Sequence, residues 1–187
     1  MKNILVIGAG RSSVSLIKYL LDHSEDNSWR VTVADFSIKL AEKAVDNHKN
    51  GKAILFDVTN VKHRENEIES ASIVISMLPA NLHIVVAKDC VRLKKNLVTA
   101  SYVSSDIAML EESAKKAGVL LLNEIGLDPG IDHMSAMQVI DKIKENNGVL
   151  TSFKSFCGGL VHPDFDNNPW NYKFTWNPRN VVLAGQG

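Results

Sequence analysis

The chain is short of cysteine and of any surplus of charge, and each shortage removes a class of protein from consideration. Its two cysteines, Cys90 and Cys157, are too few for a disulfide framework. Neither has a partner at ligand spacing and the six histidines are scattered, so no metal is expected. Lys plus Arg and Asp plus Glu are both 21, which leaves no basic surplus for a nucleic acid and no acidic tail. No apolar run approaches the roughly 20 residues of a membrane-spanning helix. The N-terminus enters a strand without a basic n-region and cleavage site, so a cytoplasmic setting is expected. A third glycine is also missing, because "IGAGRSSVS" opens like a dinucleotide-binding loop yet holds Ser13 where the third glycine usually stands.

What is present is a chain of 187 residues, 45% of them hydrophobic, enough for one large domain or one domain and part of another. Residues 3–7 form an apolar strand, and Val14, Leu16, Ile17, Tyr19, Leu20 and Leu21 give a helical apolar face. The glycine pair therefore sits at a strand-to-helix junction. There Gly8 supplies a tight turn, Gly10 admits a pyrophosphate to the main chain, and the helix starting near Arg11, with Ser12 and Ser13, points its free N–H groups at the anion. "WRVTVADFS" is a second strand ending in Asp35, the spacing at which an acidic residue grips an adenine ribose. The plainer reading, that Asp35 only helps Ser37 cap the next helix, stands well behind dinucleotide binding. In either role, both elements belong to one βαβ unit.

The alternation continues as far as about Asn123. A helix is expected over residues 38–48, then "KAILFDVTN" as strand and turn, a polar segment rich in Glu and Lys, and "ASIVISMLP" as a buried strand. A helix over 81–93, the strand "NLVTAS", a helix over 104–117 capped by Ser104 or Ser105 and stopped by Gly118, and the strand "VLLLNE" follow. Six strands separated by helices predict an α/β fold, a Rossmann-like doubly wound parallel sheet, whose ligands lie beyond the carboxyl ends of the strands. Asp57, Leu78 and Pro79 stand at such ends and join the expected cofactor site. The dinucleotide domain is assigned to residues 1–124.

Residues 125–187 begin a second, incomplete α/β domain. "EIGLDPGIDHMSAMQVIDKIKENNG" predicts a helix with Asp128 and Pro129 in cap and first-turn positions, an apolar face of Met134, Met137, Val139, Ile140 and Ile143, and an end at Gly148. "LTSFKSFCGGL" reads as a strand closing in a glycine turn, followed by a loop rich in Pro, Asn and aromatic residues and a new apolar start at Val181.

Three stretches carry a resemblance: "VISMLPANLHIVVAKDCVRLKKNLVTASYVS", "NEIGLDPGIDHMSAM" and "SFCGGLVHPDFDNNPWNYKFTWNPRNV". They closely resemble the saccharopine dehydrogenase family, in particular its glutamate-forming members, the saccharopine reductases, and the resemblance spans essentially the whole chain. It implies an oxidoreductase of lysine metabolism that interconverts saccharopine with glutamate and 2-aminoadipate 6-semialdehyde using NAD or NADP. It also implies an N-terminal fragment, inactive alone, of an enzyme that pairs as a homodimer through a later part. That reaction needs hydride transfer at a carbon bearing a secondary amine, then water addition to the imine and collapse of a carbinolamine. Two alternatives stand beside it: the related reductive amination of carboxynorspermidine dehydrogenases in polyamine synthesis, and a nucleotide-binding module without catalysis. The "LDPGIDH", "CGGL" and "YKF" stretches favour the saccharopine branch.

By the same resemblance Tyr102, Asp128 and Cys157 fall on the family's active-site positions. Read alone, Tyr102 is an edge aromatic, Asp128 a helix cap and Cys157 a small buried hydrophobe. His133 is either a proton carrier or a packing residue. The substrate carboxylates call for cations, and "NPWNYKFTWNPRNV" offers Lys173 and Arg179, of which Arg179 can grip a carboxylate bidentately. The family commonly uses NADP and tends to place an Arg just after the second strand. Here Asp35 stands at that strand end, and a carboxylate repels a 2′-phosphate, so NAD is the cofactor expected from the residues.

Overall fold

The structure is a computed structural model that describes residues 1–159 and 161–173. The chain divides into two compact units, one spanning Met1–Ser135 and a second beginning at Ala136.

The first unit is built on β1 (Lys2–Ile7), β2 (Trp29–Asp35), β3 (Gly51–Leu55), β4 (Ile73–Ser76), β5 (Asn96–Thr99) and β6 (Leu121–Leu122). All pairings are parallel, in the order β3-β2-β1-β4-β5-β6. Helices α1 (Val14–Asp22), α2 (Ile38–Val45), α3 (Val61–Ser70), α4 (His83–Arg92), α5 (Ser105–Ala108) and α6 (Glu111–Ala117) make the crossovers, and α7 (Ile131–Glu145) follows β6. This is the expected doubly wound α/β sheet. Its order reverses between β1 and β4, where such a sheet opens a crevice for ligand.

The apolar run of β1 explains its central place. Leu5 and Ile7 enter one core with Ile68, Val86, Ala87, Cys90 and Ile107 from α3, α4 and α5. Ile4 and Val6 enter the other with Ile17, Leu20, Leu21, Ala41 and Val45 from α1 and α2. A strand covered on both faces needs hydrophobic residues at every position rather than at alternate ones. Cys90 is part of this packing, and burial pushes its thiol up to about 12. Register keeps the strand ends level: Ile7 lies opposite Ala34 and Ser76, so Gly8, Asp35 and Met77 emerge along one edge.

Several expectations are corrected. α2 stops at Val45, short of residue 48, because Asp46 and Asn47 take left-handed backbone angles. The polar segment after β3 is a helix, α3, capped by the Asn60 side chain accepting the His63 N–H at 3.1 Å. The helix expected over 104–117 is two helices, with Ser104 capping α5 and Gly118, at φ 67°, ending α6. Asp128 and Pro129 do not begin α7. The Gly126 N–H donates to the Pro129 carbonyl and the Ile131 N–H to the Gly126 carbonyl, both at 2.9 Å, so a closed loop precedes the helix. Asp132 takes the first-turn position, accepting the Gly130 N–H at 2.8 Å.

In the second unit "LTSFKSFCGG" forms no strand among the described residues. Its backbone has no ladder partner there, and a strand pattern without a neighbouring edge leaves its N–H and C=O groups to water. A short turn of 3-10 helix, Pro163–Phe165, comes after it.

Candidate cofactor and active site

The two glycines after β1 are glycine for different reasons. Gly8 has φ +108°, and a Cβ placed on it would lie 2.7 Å from the Met77 carbonyl oxygen, so the close approach of the β1 and β4 ends excludes any side chain. Gly10 is ordinary extended backbone, φ −70° and ψ 178°, and a Cβ there would meet nothing within 4 Å. Neither conformation nor packing demands a glycine at position 10. The 3-10 turn Arg11–Ser13 follows, its first bond running from the Ser13 N–H to the Gly10 carbonyl at 3.1 Å, so the N–H groups of Arg11 and Ser12 precede the bonded turn and are left for an anion. Ser13 does not present its side chain to the groove. It is fully buried and its hydroxyl donates to the Gly10 carbonyl at 2.8 Å, so its share in the site is to shape the loop.

Of the two roles open to Asp35 in the sequence, the structure shows its part in the turn that leads into α2. Its Oδ2 accepts the Ala9 N–H at 2.7 Å and its Oδ1 accepts the Ser37 N–H at 2.8 Å, which ties the glycine loop to the turn before α2. Two of the carboxylate's roughly four acceptor sites remain for ribose hydroxyls. Beside it opens a cleft of 430 Å³ walled by Gly8, Gly10, Asp35, Asp57, Leu78 and Pro79 among others, which brings together six of the expected cofactor residues. Asp57 is held by Thr59, whose hydroxyl and N–H donate to Oδ1 at 2.7 and 2.8 Å and keep its carboxyl below the usual range.

The carboxyl ends of β4, β5 and β6 form the other half of the edge. Tyr102 follows β5 and is exposed, and Asp128 follows β6 and is exposed too. Their loops adjoin: a Cβ on Gly126 would lie 3.2 Å from the Ala100 Cβ, the Glu124 N–H donates to the Ser101 carbonyl at 3.0 Å, and Glu124 Oε1 accepts the Val103 N–H at 3.1 Å. Behind them His83, 1% exposed, lies between two hydroxyls, its Nδ1 2.8 Å from Ser76 Oγ and its Nε2 2.7 Å from Ser101 Oγ. Burial lowers the imidazole pKa. His133 is exposed, its Nδ1 2.8 Å from Asp132 Oδ1. Burial pushes Asp132 up, but the bonds from His133 and the Gly130 N–H outweigh it and hold the carboxyl below its ordinary value.

The second unit carries Cys157, exposed, and Lys173, half-buried, whose ammonium donates to the Phe165 carbonyl at 2.5 Å. Arg179 lies outside the described residues. No group of three His, Cys, Asp or Glu among the described residues is arranged to hold a metal ion, and no helix there is long and apolar enough to cross a membrane.

Two features escaped the sequence reading. Phe36, 78% exposed on the cleft wall beside Asp35, offers an aromatic face; its only signal was an aromatic where a polar loop begins. The Ser76–His83–Ser101 chain had none, since its members are scattered over three segments.

A nicotinamide dinucleotide is the group this fold implies, and the residues fit it. The empty space above Gly10 is what a pyrophosphate passing the loop requires, and the acidic residues lie on the β2 and β3 side where the adenosine half belongs.

Comparison with known proteins agrees. Residues 4–122 match the model for the saccharopine dehydrogenase NADP binding domain, and residues 126–187 that for the saccharopine dehydrogenase C-terminal domain. A saccharopine dehydrogenase [NADP(+), L-glutamate-forming] of Schizosaccharomyces pombe is 39% identical over 98% of this chain and 40% of its own length. An alpha-aminoadipic semialdehyde synthase of Arabidopsis thaliana is 41% identical over 98% of this chain and 19% of its own. The apo saccharopine dehydrogenase (L-Glu forming) of Saccharomyces cerevisiae superimposes with a TM-score of 0.84 at 38% identity, over 98% of this chain and 40% of that one. A 3-ketoreductase from Actinomadura kijaniata, solved with NADP, shares the fold at a TM-score of 0.58 and 17% identity, over 77% of this chain and 44% of that one. The chain thus spans two fifths or less of the length of the first three of these proteins. On the match of both domain models, the chain belongs to the saccharopine dehydrogenase family.

Proposed function

We propose that this chain is the nicotinamide-binding portion of an oxidoreductase acting on the secondary amine of saccharopine and interconverting it with glutamate and 2-aminoadipate 6-semialdehyde. The observation that carries the reading is the open space at Gly10, on a βαβ loop whose first bonded N–H is that of Ser13, in a chain of this family. When bound, the nicotinamide supplies the hydride acceptor for the carbon that bears the amine.

The chain's own residues do the rest. Gly8 and Gly10 admit the pyrophosphate, the Arg11 and Ser12 N–H groups bind it, and Asp35 and Asp57 take polar groups of the adenosine half. Leu78 and Pro79 wall the cleft against water. Asp128 takes a proton from the water that adds to the imine, and Tyr102 donates a hydrogen bond to the substrate. In the second unit Cys157, Lys173 and Arg179 are proposed on the family resemblance, the two cations for substrate carboxylates. A homodimer and a cytoplasmic setting belong to the same proposal.

The relatives' names favour NADP, which is the cofactor to test first. Asp35 is the residue that weighs for NAD. If it selects, Asp35→Ala raises kcat/KM with NADP relative to NAD by about tenfold, the scale of one like-charge contact; an unchanged ratio removes Asp35 from cofactor choice. The substrate assignment is tested by saccharopine-dependent reduction of NADP or NAD in the protein that carries this chain. Folded protein that binds dinucleotide yet leaves saccharopine unoxidised with either cofactor overturns it.

A further inference from the structure

We propose that His83 is a positioning residue that turns the Ser101 hydroxyl into a hydrogen-bond donor aimed outward at the nicotinamide half of a bound dinucleotide. This rests on the dinucleotide-binding reading above and extends it to a residue pair that the sequence did not mark.

Two observations carry it. Ser101 follows β5, on the β4–β5–β6 side of the reversal in strand order, the half of the edge opposite Asp35 and Asp57. A dinucleotide whose adenosine lies over β2 and β3 extends its other half toward that side. Ser101 is also only partly covered, whereas His83 and Ser76 behind it are buried. The chain of contacts therefore runs from the interior to the surface and ends on a hydroxyl.

Its direction follows from which hydrogens need a home. Ser76 is fully buried, and its hydroxyl has one partner among the described residues, His83 Nδ1 at 2.8 Å. A buried donor without an acceptor is costly, while an unused lone pair costs far less, so the Ser76 O–H donates and Nδ1 accepts. Neutral imidazole then carries its proton on Nε2 and donates to Ser101 Oγ at 2.7 Å. Having accepted there, Ser101 keeps its own O–H free to donate. The backbone holds the residue in that place: the Ser101 N–H donates to Thr99 Oγ1 at 3.2 Å and its carbonyl accepts the Glu124 N–H at 3.0 Å. The acceptor it suits is the oxygen of the nicotinamide carboxamide.

The tautomer is read directly from 15N–1H correlation of the imidazole. A proton on Nε2 is expected, and a proton on Nδ1 overturns the proposal whatever the ligand. The ligand contact is read by calorimetry on the chain with intact NADP and NAD and with ADP-ribose, which lacks the nicotinamide. Ser101→Ala, a half-exposed change that spares the fold, is expected to weaken dinucleotide binding about fivefold, one neutral hydrogen bond, and to leave ADP-ribose binding unchanged. His83→Leu is expected to repeat that pattern and His83→Gln, whose amide can still donate to Ser101, to restore most of the affinity. Equal weakening of ADP-ribose, or no weakening of either ligand in Ser101→Ala, overturns the inference while the dinucleotide reading stands. If the parent chain, folded, binds neither ligand, both fall together.

Discussion

Placing valine at position 10 separates fold from ligand more cleanly than any other change in the molecule. Gly10 lies in extended backbone, and a Cβ there meets no atom within 4 Å. Valine adopts that conformation freely, and replacing glycine restricts the unfolded chain, worth about 0.4–1 kcal/mol in favour of the fold. Glycine is a somewhat better N-cap than valine, which offsets part of this by a few tenths of a kcal/mol or more. The net change in stability stays within about 1 kcal/mol, or roughly 2–4 °C in Tm for a chain of this size. Binding behaves otherwise. The new branched side chain fills the space between the loop and the pyrophosphate, and the charge-assisted bonds from the Arg11 and Ser12 N–H groups, about 1.5–3 kcal/mol each, are lost together. Dinucleotide affinity should fall by at least about a hundredfold. The assay is calorimetric titration with NADP and NAD beside a thermal melt. A Gly10→Val protein that binds within about threefold of the parent, or that fails to fold, refutes the reasoning. Gly8→Val is the contrasting control: with φ +108° and the Met77 carbonyl 2.7 Å from its Cβ, it should lose several kcal/mol of stability.

Three further outcomes are open to measurement. Burial lowers the His83 pKa in the folded chain, so below the unfolded value, about 6.5, the unfolded state binds more protons. His83 should therefore contribute stability that is fully present above pH ~6.5 and lost as pH falls toward its folded pKa; urea titrations of the parent and His83→Gln should differ in slope through that window, and parallel curves count against it. Arg64 and Asp89 form a buried pair, Nε to Oδ2 at 2.6 Å, that joins α3 to α4, and Asp89→Ala should cost about 3–5 kcal/mol in urea denaturation by leaving the guanidinium unpaired. A cost under about 1 kcal/mol would mean that water replaces the carboxylate. Gly130 has φ +146°, and a Cβ on it would lie 2.2 Å from the Gly126 carbonyl oxygen, so Gly130→Ala should open the loop that carries Asp128 and lower turnover on saccharopine more than it lowers Tm; unchanged turnover would show that the loop does not position Asp128.

The sheet was legible in the sequence because its cause is local in the sequence. Apolar runs such as "ILVI" and "VTVAD", each followed by a helical pattern, can be buried on both faces only by parallel crossovers, and that dictates the doubly wound sheet. That the two glycines and Asp35 line one cleft was legible for the same reason, since their spacing along one βαβ unit sets their positions in space. Tertiary structure decided what depends on residues far apart. It distinguished Gly8, which the Met77 carbonyl requires, from Gly10, which nothing in the protein requires. It turned Ser13 inward and gave Asp35 two backbone donors. It removed Asp128 and Pro129 from the start of α7, because the bonds closing the Gly126–Gly130 loop outcompete a helical first turn. It also made a hydrogen-bonded chain of Ser76, His83 and Ser101. In the sequence these three look like a strand end, a helical histidine and a loop serine, and only the parallel pairing of β4 with β5 brings the two hydroxyls to opposite sides of one imidazole.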